Sequence, residues 1–498
     1  MWVFILSIAW SKPIQVGSEG YSLRRALDVA QPGDVIEIVE NQSNVCAEVA
    51  KDIKIVGRES VRLQGKKRCK YMFTVTQGTF ELTAVNLSNT DSGGVYAVGK
   101  TAKVLLDRVR FEGLGNKKAK TSALYLDGAE AALKDSVFLS NQGSYGSAIQ
   151  LRKNAVARIQ GTRFEDNASV VGGAIYATEG ATLTLNSSEF VKNQVISGGM
   201  GGALSLRDDS SVSIQDSLFE ENSSQGKGGA IYAQQSRRQG YLSLTVSNSR
   251  LLSNHAPVGA GTGGALYVRG QSRISIRDSV IQDNDASSHA GGIFLYDVGG
   301  TVDLQNTSFH GNRSRTGAGG AIYAASRNEA GAVELDIRGG SFTENESAVY
   351  GGALSIGMKE NPFGSLLLDN VLFEQNTAGS SRTGVGGAVH AYFNQQGTLR
   401  IQKSRFLSNR AELTGGALYA YGLLRLDIQG STFWNNAAQG PSNVLERFGG
   451  AVFVDASKQI RIRQNRFCRN VSLSKGKSAV EAHGGAIYLQ KSDMFTLE

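Results

Sequence analysis

Proline is scarce in this sequence, with 5 in 498 residues against 61 glycines. So little fixed-φ residue beside so much glycine argues against a proline-rich disordered chain and for tight bends between paired strands. Cysteine is as scarce, at 3, which excludes a small disulfide-stapled scaffold. Cys46 and Cys69 stand 23 residues apart, and two readings stay open for them: a disulfide formed in an oxidising compartment, or two unpaired core thiols. Cys468, beside Phe467, is expected to be buried. The five histidines (His255, His289, His310, His390 and His483) fall at scattered positions without metal-ligand spacing. No metal and no cofactor is therefore expected. Long apolar runs are also missing, and nothing approaches the roughly 20 residues of a transmembrane helix. Only residues 2–9, followed by Ala9-x-Ser11, suggest a candidate signal peptide over 1–11, with a buried N-terminal strand as the alternative.

What the sequence does have is repetition. Phe-x-x-Asn occurs at Phe138, Phe164, Phe190, Phe219, Phe309, Phe342, Phe373, Phe406, Phe433 and Phe467, with Leu251 and Ile281 replacing Phe in two further copies. Gly-Gly-Ala alternates with it, beginning at Gly172, Gly201, Gly228, Gly263, Gly319, Gly351, Gly386, Gly415, Gly449 and Gly484, and Gly291-Gly292-Ile293 is taken as a variant. The mean spacing is about 30 residues, the signature of a stacked-repeat architecture.

Alignment on Phe gives columns. Five positions earlier every copy is aliphatic, as at Leu133, Ile159, Leu185 and Ile214, and seven earlier most are too, as at Leu183, Val212 and Leu244. The residues between are mostly polar, so each copy holds a strand with one face inside. Asp, Asn or Gly three before Phe and Ser or Thr two before it mark a corner. A second short strand follows Gly-Gly, and a third is expected around Phe. This predicts an all-β fold, a right-handed parallel β-helix (a pectin-lyase-like solenoid), since Leu-x-x-Leu-x-Leu is absent and a propeller needs longer repeats. Stacked Phe164, Phe190, Phe219, Phe309 and Phe342 would fill the core. Asn167, Asn193, Asn222, Asn312 and Asn345 would form a structural ladder satisfying buried turn backbone.

Residues 21–30 carry a helical stripe of Leu23, Ala26, Leu27 and Ala30, expected to cap the first coil. The expected organisation is an N-terminal cap with first coils over 12–60 and β-helix over 61–498, with the clear repeats at 130–490. The chain stops soon after a Gly-Gly-Ala strand, so it is read as a candidate fragment.

These motifs resemble those of the polymorphic outer membrane proteins best known from chlamydiae. The resemblance covers roughly residues 130–490. It implies a β-helical autotransporter passenger, exposed at the cell surface or secreted and acting in adhesion. Outer membrane association is then expected, although no alternating membrane strands follow the repeats to form a barrel in this chain.

Candidate binding residues come from two places. Two residues after the Ala stand Tyr176, Tyr232, Tyr267, Tyr323, Tyr419 and Tyr488, an outward aromatic column able to stack on sugars or a partner, or else its rings support one another. The net charge is +8, with basic runs at Lys66-Lys67-Arg68, Lys117-Lys118 and Arg461-x-Arg463. Arg461 and Arg463 are expected on an outer face where an anionic glycan or lipopolysaccharide could dock, with a solvated basic surface without a partner as the commoner alternative. No nucleic-acid motif accompanies the charge, and nucleic acid is not expected as a partner.

An enzymatic alternative rests on Asp91, Asp208-Asp209 and His483, which resemble parts of a polygalacturonase signature. Asp91 and Asp208 are about four coils apart, near 19 Å at the strand spacing, too far to act on one sugar. Asp303 and Asp336 share a column on neighbouring coils, where two stacked outward carboxylates could hold a calcium ion, with isolated outward aspartates as the commoner alternative. No catalytic residue is expected. The function expected is a non-enzymatic surface or secreted adhesin binding a host or cell-surface protein or glycan. A carbohydrate-active lyase or hydrolase and a purely structural surface protein are the alternatives.

Overall fold

The computed structural model describes residues 13–58, 61–66, 68–116, 121–236, 240–327, 333–357, 364–379, 383–440, 446–474 and 481–497. The candidate signal peptide at 1–11 lies outside them. The described chain forms two compact units, one of the residues up to Ser197 with Gly202–Ser213, the other of Gly198–Gly201 with the residues from Ile214 onward. Each is a right-handed parallel β-helix.

One coil of the second unit shows how the repeat works. Thr301–Gln305 forms the first strand, with Val302 and Leu304 inside. The chain turns at Asn306 and runs through Ser308–His310, which buries Phe309. It turns again into Arg313–Ser314, loops to Gly319, and closes with Ile322–Ala325. The next coil repeats this in register: Val302 pairs with Leu335, Phe309 with Phe342, Arg313 with Glu346 and Ile322 with Leu354. From Gln142 onward each full coil thus has at least four strands, while the coils before it show three among the described residues. The strand after Asn was not expected, because two residues are too few to show a period.

Two corners per coil use the left-handed backbone region. Three before the Phe position, φ is positive in every copy, from Asp135 (φ 47°) to Gln464 (φ 56°). Two after it the same holds, from Ser140 (φ 53°) to Arg469 (φ 53°). Asn, Asp and Gly tolerate this region best, which explains their prevalence three before Phe, whereas the second corner is held mostly by other residues. The Gly-Gly pair has a different double origin. Gly319 has φ 66°, while Gly320 has no room for a side chain: a Cβ there would lie 2.1 Å from the Gly352 carbonyl of the next coil.

The register corrects one copy. Ile293 pairs with Leu266 and Ile322, so it occupies the position after Ala. Ala290-Gly291-Gly292 therefore replaces Gly-Gly-Ala, and Ala290 adopts φ 57° where other copies use glycine.

Core order follows the columns. In the first unit Phe111, Phe138, Phe164 and Phe190 stack at 4.6, 5.0 and 4.5 Å between ring centres. In the second, Phe309 to Phe467 stack at 4.6–5.0 Å, within the favourable range for aromatic pairs. Phe219 is also fully buried. Beside the rings runs the asparagine ladder. Asn167 Nδ2 donates to Asn193 Oδ1 at 2.9 Å and to the Phe138 carbonyl at 2.9 Å, while the Asn167 backbone N–H donates to the same Asn193 oxygen at 3.1 Å. Asn222 begins the equivalent run in the second unit, its Nδ2 donating to Asn254 Oδ1 at 3.0 Å. In the interior of the ladder each amide uses two donors and two acceptor sites, its whole capacity.

The predicted cap is Leu23–Val29, packed against the first strands through Leu23, Ala26 and Leu27. Ser22 Oγ accepts from the Arg25 N–H at its start, and Lys51 Nζ donates to the Leu27 carbonyl at 2.9 Å near its end. Cys46 and Cys69 are joined by a disulfide with Cα atoms 6.1 Å apart. Cys468, expected to be buried, is half-buried.

Candidate functional site

The strand after Gly-Gly-Ala sets the direction of the tyrosine column. Ile231 and Ala233 point inward, so Tyr232 points out from the sheet. The expected exposure does not follow. Tyr232 and Tyr267 are 2% and 1% exposed, and Tyr323 is 5%. Their rings stack in a continuous series with Phe294, at 5.2, 5.1 and 5.1 Å. Loops after the asparagines cover the stack: Lys227 lies 4.9 Å over the Tyr267 ring, His289 stacks on Tyr323 at 4.5 Å, and Met200, Ala290 and Ala318 pack alongside. These rings form a second, external apolar core, and mutual support describes them better than an open stripe. Burial raises the Tyr267 and Tyr323 phenols well above their ordinary value and lowers Lys227 and His289.

Tyr176 and Tyr419 keep part of their surface exposed. Tyr176 packs against Tyr145 at 5.2 Å. Tyr419 lies between His390 at 5.2 Å and Phe453 at 5.1 Å, and Tyr350, 42% exposed, covers His390 at 4.9 Å. Burial pushes His390 down to about 3, so its imidazole is neutral in the folded protein. The half-exposed ring pair Tyr392–Tyr421, stacked at 4.4 Å, was missed in the sequence. It belongs to the column four after Ala, which also holds Arg207, Arg269 and Asp455. Carrying the period-two alternation one step past the tyrosines would have found it. Phe294 was missed because of the shifted Ala290-Gly291-Gly292 register.

The basic face lies on the strands before and at Phe in the last coils. Arg461 is exposed, as expected, while Arg463 is half-buried and reaches Asp427 at 3.8 Å. Arg425 holds the same carboxylate at 3.3 Å. Trp434 stands on this face with Arg466 and Arg469 over its ring at 5.7 and 5.2 Å. Of the other basic runs, Lys67 and Lys117-Lys118 lie outside the described residues.

Asp303 and Asp336 are neighbours in register, and each already has a cation: Arg277 at 3.0 Å and Arg338 at 2.9 Å. Among the described residues no group of three or more His, Cys, Asp or Glu is placed to hold a metal ion. Asp91 and Asp208 remain on coils four apart in the first unit, and the side chain of His483 lies outside the described residues. A shallow groove of about 280 Å³ lies at the first corner, lined by Gln305, Asn306, Arg338, Gly339, Asp369 and Asn370.

Comparison with known proteins agrees with this architecture. Residues 73–251 match the model of a right-handed β-helix region, and 306–325 match the Chlamydia polymorphic membrane protein repeat. The chain is 26% identical over 184 residues to the probable autotransporter YfaL of Escherichia coli, covering 35% of this chain and 14% of that one. It is 26% identical over 347 residues to the probable outer membrane protein PmpG of Chlamydia muridarum, covering 61% and 32%. Against the probable outer membrane protein pmp6 of Chlamydia pneumoniae it is 34% identical over 194 residues, covering 35% and 14%. The matches thus span a third or less of each relative's own length. Two solved structures align weakly: the Streptococcus pneumoniae surface adhesin PfbA (TM-score 0.26, 8% identity, 89% of this chain and 85% of that one) and the PL6 family alginate lyase AlyGC (TM-score 0.24, 10% identity, 98% and 100%). Scores this low favour neither. Repeat, fold and relatives together show a right-handed β-helix that carries repeats of the chlamydial polymorphic-membrane-protein type and is similar to autotransporter and outer membrane proteins.

Proposed function

We propose that this chain is an adhesin-like, non-enzymatic binding scaffold that meets host or cell-surface receptors or glycans through its loops and outer strand faces. The observation that carries this is how the repeated polar chemistry is used. In the ladder interior each Asn amide has all its hydrogen-bonding capacity committed within the scaffold, as at Asn345. Most ring columns support one another in the same way. What varies is the loop between Asn and Gly-Gly, from 5 residues (Asn167 to Gly172) to 14 (Asn470 to Gly484). Held core spacing with variable loops suits recognition.

The test is binding of the labelled, purified chain to intact host cells, with loop-replacement variants alongside. Saturable binding that falls when a loop such as 257–262 is replaced supports the reading. Binding that no loop or face variant alters, or no binding at all, would remove it.

A further inference from the structure

We infer that the outer face formed by residues 398–407, 425–434 and 459–469 is a docking surface for a sulfated linear polysaccharide. This rests on the surface location and adhesin-like role proposed above, and names the ligand class.

Register brings the arginines together. Arg400 pairs with Asp427, and Asp427 with Arg461, so the two arginines share one outward column two rungs apart. Arg405, Thr432 and Arg466 form the parallel column across the corner. At the rung spacing, each arginine pair is separated by roughly 10 Å. Lys403 occupies the corner between Arg400 and Arg405 in the upper rung. Arg400, Lys403, Arg405, Arg461 and Arg466 are all exposed.

The face lacks neutralising acid. Its one carboxylate, Asp427, is 6% exposed and already held by Arg425 and Arg463. No described carboxylate lies within ion-pair distance of Arg400, Arg405, Arg461 or Arg466. Several sheet arginines elsewhere are paired, Arg110 with Glu112, Arg163 with Glu165, Arg277 with Asp303 and Arg338 with Asp336, while Arg158 and Arg250 are exposed without an ion pair among the described residues, on coils apart from one another. What sets this face apart is that four unpaired arginines stand together on it.

Shape and chemistry select the occupant. The middle rung turns at Gly430, where an added Cβ would meet only Lys403 Cγ at 4.0 Å, leaving a notch between the flanking cations. Guanidinium groups fork onto sulfate and carboxylate oxygens, and arginine dominates here over lysine. Single-stranded nucleic acid would require successive stacking rings. This face has one, Trp434, whose ring lies under Arg466 and Arg469. A chain of anionic sugars fits better.

The experiment uses the full chain on immobilised heparin, with affinity measured over a salt series. Two variants are compared: Arg400→Gln/Arg405→Gln/Arg461→Gln/Arg466→Gln, and a control with Arg24→Gln/Lys100→Gln/Lys103→Gln, which removes exposed cations of the first unit. The four-arginine variant should bind at least tenfold more weakly, with a shallower salt dependence, and the control should stay within twofold of the parent. In the unsubstituted chain, heparin should shield Arg400, Arg405, Arg461 and Arg466 from phenylglyoxal while Arg24 still reacts, a readout independent of variant folding. No retention at physiological salt, equal loss in both variants, or tighter binding of single-stranded DNA than of heparin would overturn the inference. Binding to cells unaffected by heparinase would leave the adhesin reading standing and remove this one. Heparin retention without cell binding would do the reverse.

Discussion

Asn345 Oδ1 accepts twice from Asn312, from its backbone N–H and from its Nδ2, both at 3.0 Å. Asn345 Nδ2 in turn donates to the Phe309 carbonyl and to Asn376 Oδ1, both at 3.0 Å. Asn345→Leu would leave the Asn312 donors, the Phe309 carbonyl and one Asn376 acceptor site unpaired in a dry interior. At about 1–3 kcal/mol for each unsatisfied group, partly relieved by relaxation, the cost should be roughly 3–5 kcal/mol. Urea unfolding followed by hydrogen exchange at 308–347 checks this, since damage in a solenoid is local. A change under 1 kcal/mol would mean the ladder contributes little.

Gly320 and Gly259 separate two reasons for glycine. A Cβ on Gly320 would lie 2.1 Å from a carbonyl oxygen, so Gly320→Ala must push adjacent coils apart and should cost about 3 kcal/mol. Gly259 has φ 56° but open space around it, so Gly259→Ala should cost only about 1 kcal/mol of backbone strain. Paired thermal melts would reveal an inverted order.

The Cys46–Cys69 disulfide closes a loop of 23 residues of sequence separation near the N-terminal cap. Its removal by Cys46→Ala/Cys69→Ala should destabilise the first coils by about 3 kcal/mol. Amide exchange at 71–75 should accelerate accordingly, while exchange in the second unit stays the same.

His390 gives the protein an acid sensitivity. Its folded value is held near 3 by burial, below the ordinary 6.5 of the unfolded chain. The unfolded state therefore takes up a proton that the folded state refuses, so this contribution is complete above about pH 6.5 and is lost as pH falls toward 3. His289 is lowered too and acts in the same direction. The groups around His390 are the Tyr350, Tyr392 and Tyr419 rings and Ser355 Oγ, the last 3.3 Å from Nδ1. His390→Phe keeps a ring in a column that already holds Phe294 and Phe453. Its melting temperature should fall less between pH 7 and pH 4 than that of the parent. Equal slopes would show that carboxylates alone set the acid limit.

Much of this architecture was legible in the residues. Leu183 and Leu185 announced their strand, Phe164 its stack and Asn167 its ladder, because each recurs at a fixed offset and repetition amplifies a weak local signal. The cap helix was visible from Leu23, Ala26 and Leu27 alone. The surface was less legible. Alternation gave the direction of Tyr232 and Tyr267, but their burial depends on loops carrying Lys227 and His289, whose paths no period describes. Ala290 concealed one register because alanine is an uncommon occupant of a left-handed turn. The unpaired state of Arg461 required knowing which arginines share its column and that Asp427 was already taken by Arg463.

The most direct measurement is a glycan array probed with the purified chain, with released unsaturated and reducing sugars assayed on the same polysaccharides. The account predicts retention on anionic glycans with no product above background. Time-dependent product that scales with protein concentration would contradict it, and would make a catalytic groove the feature to find.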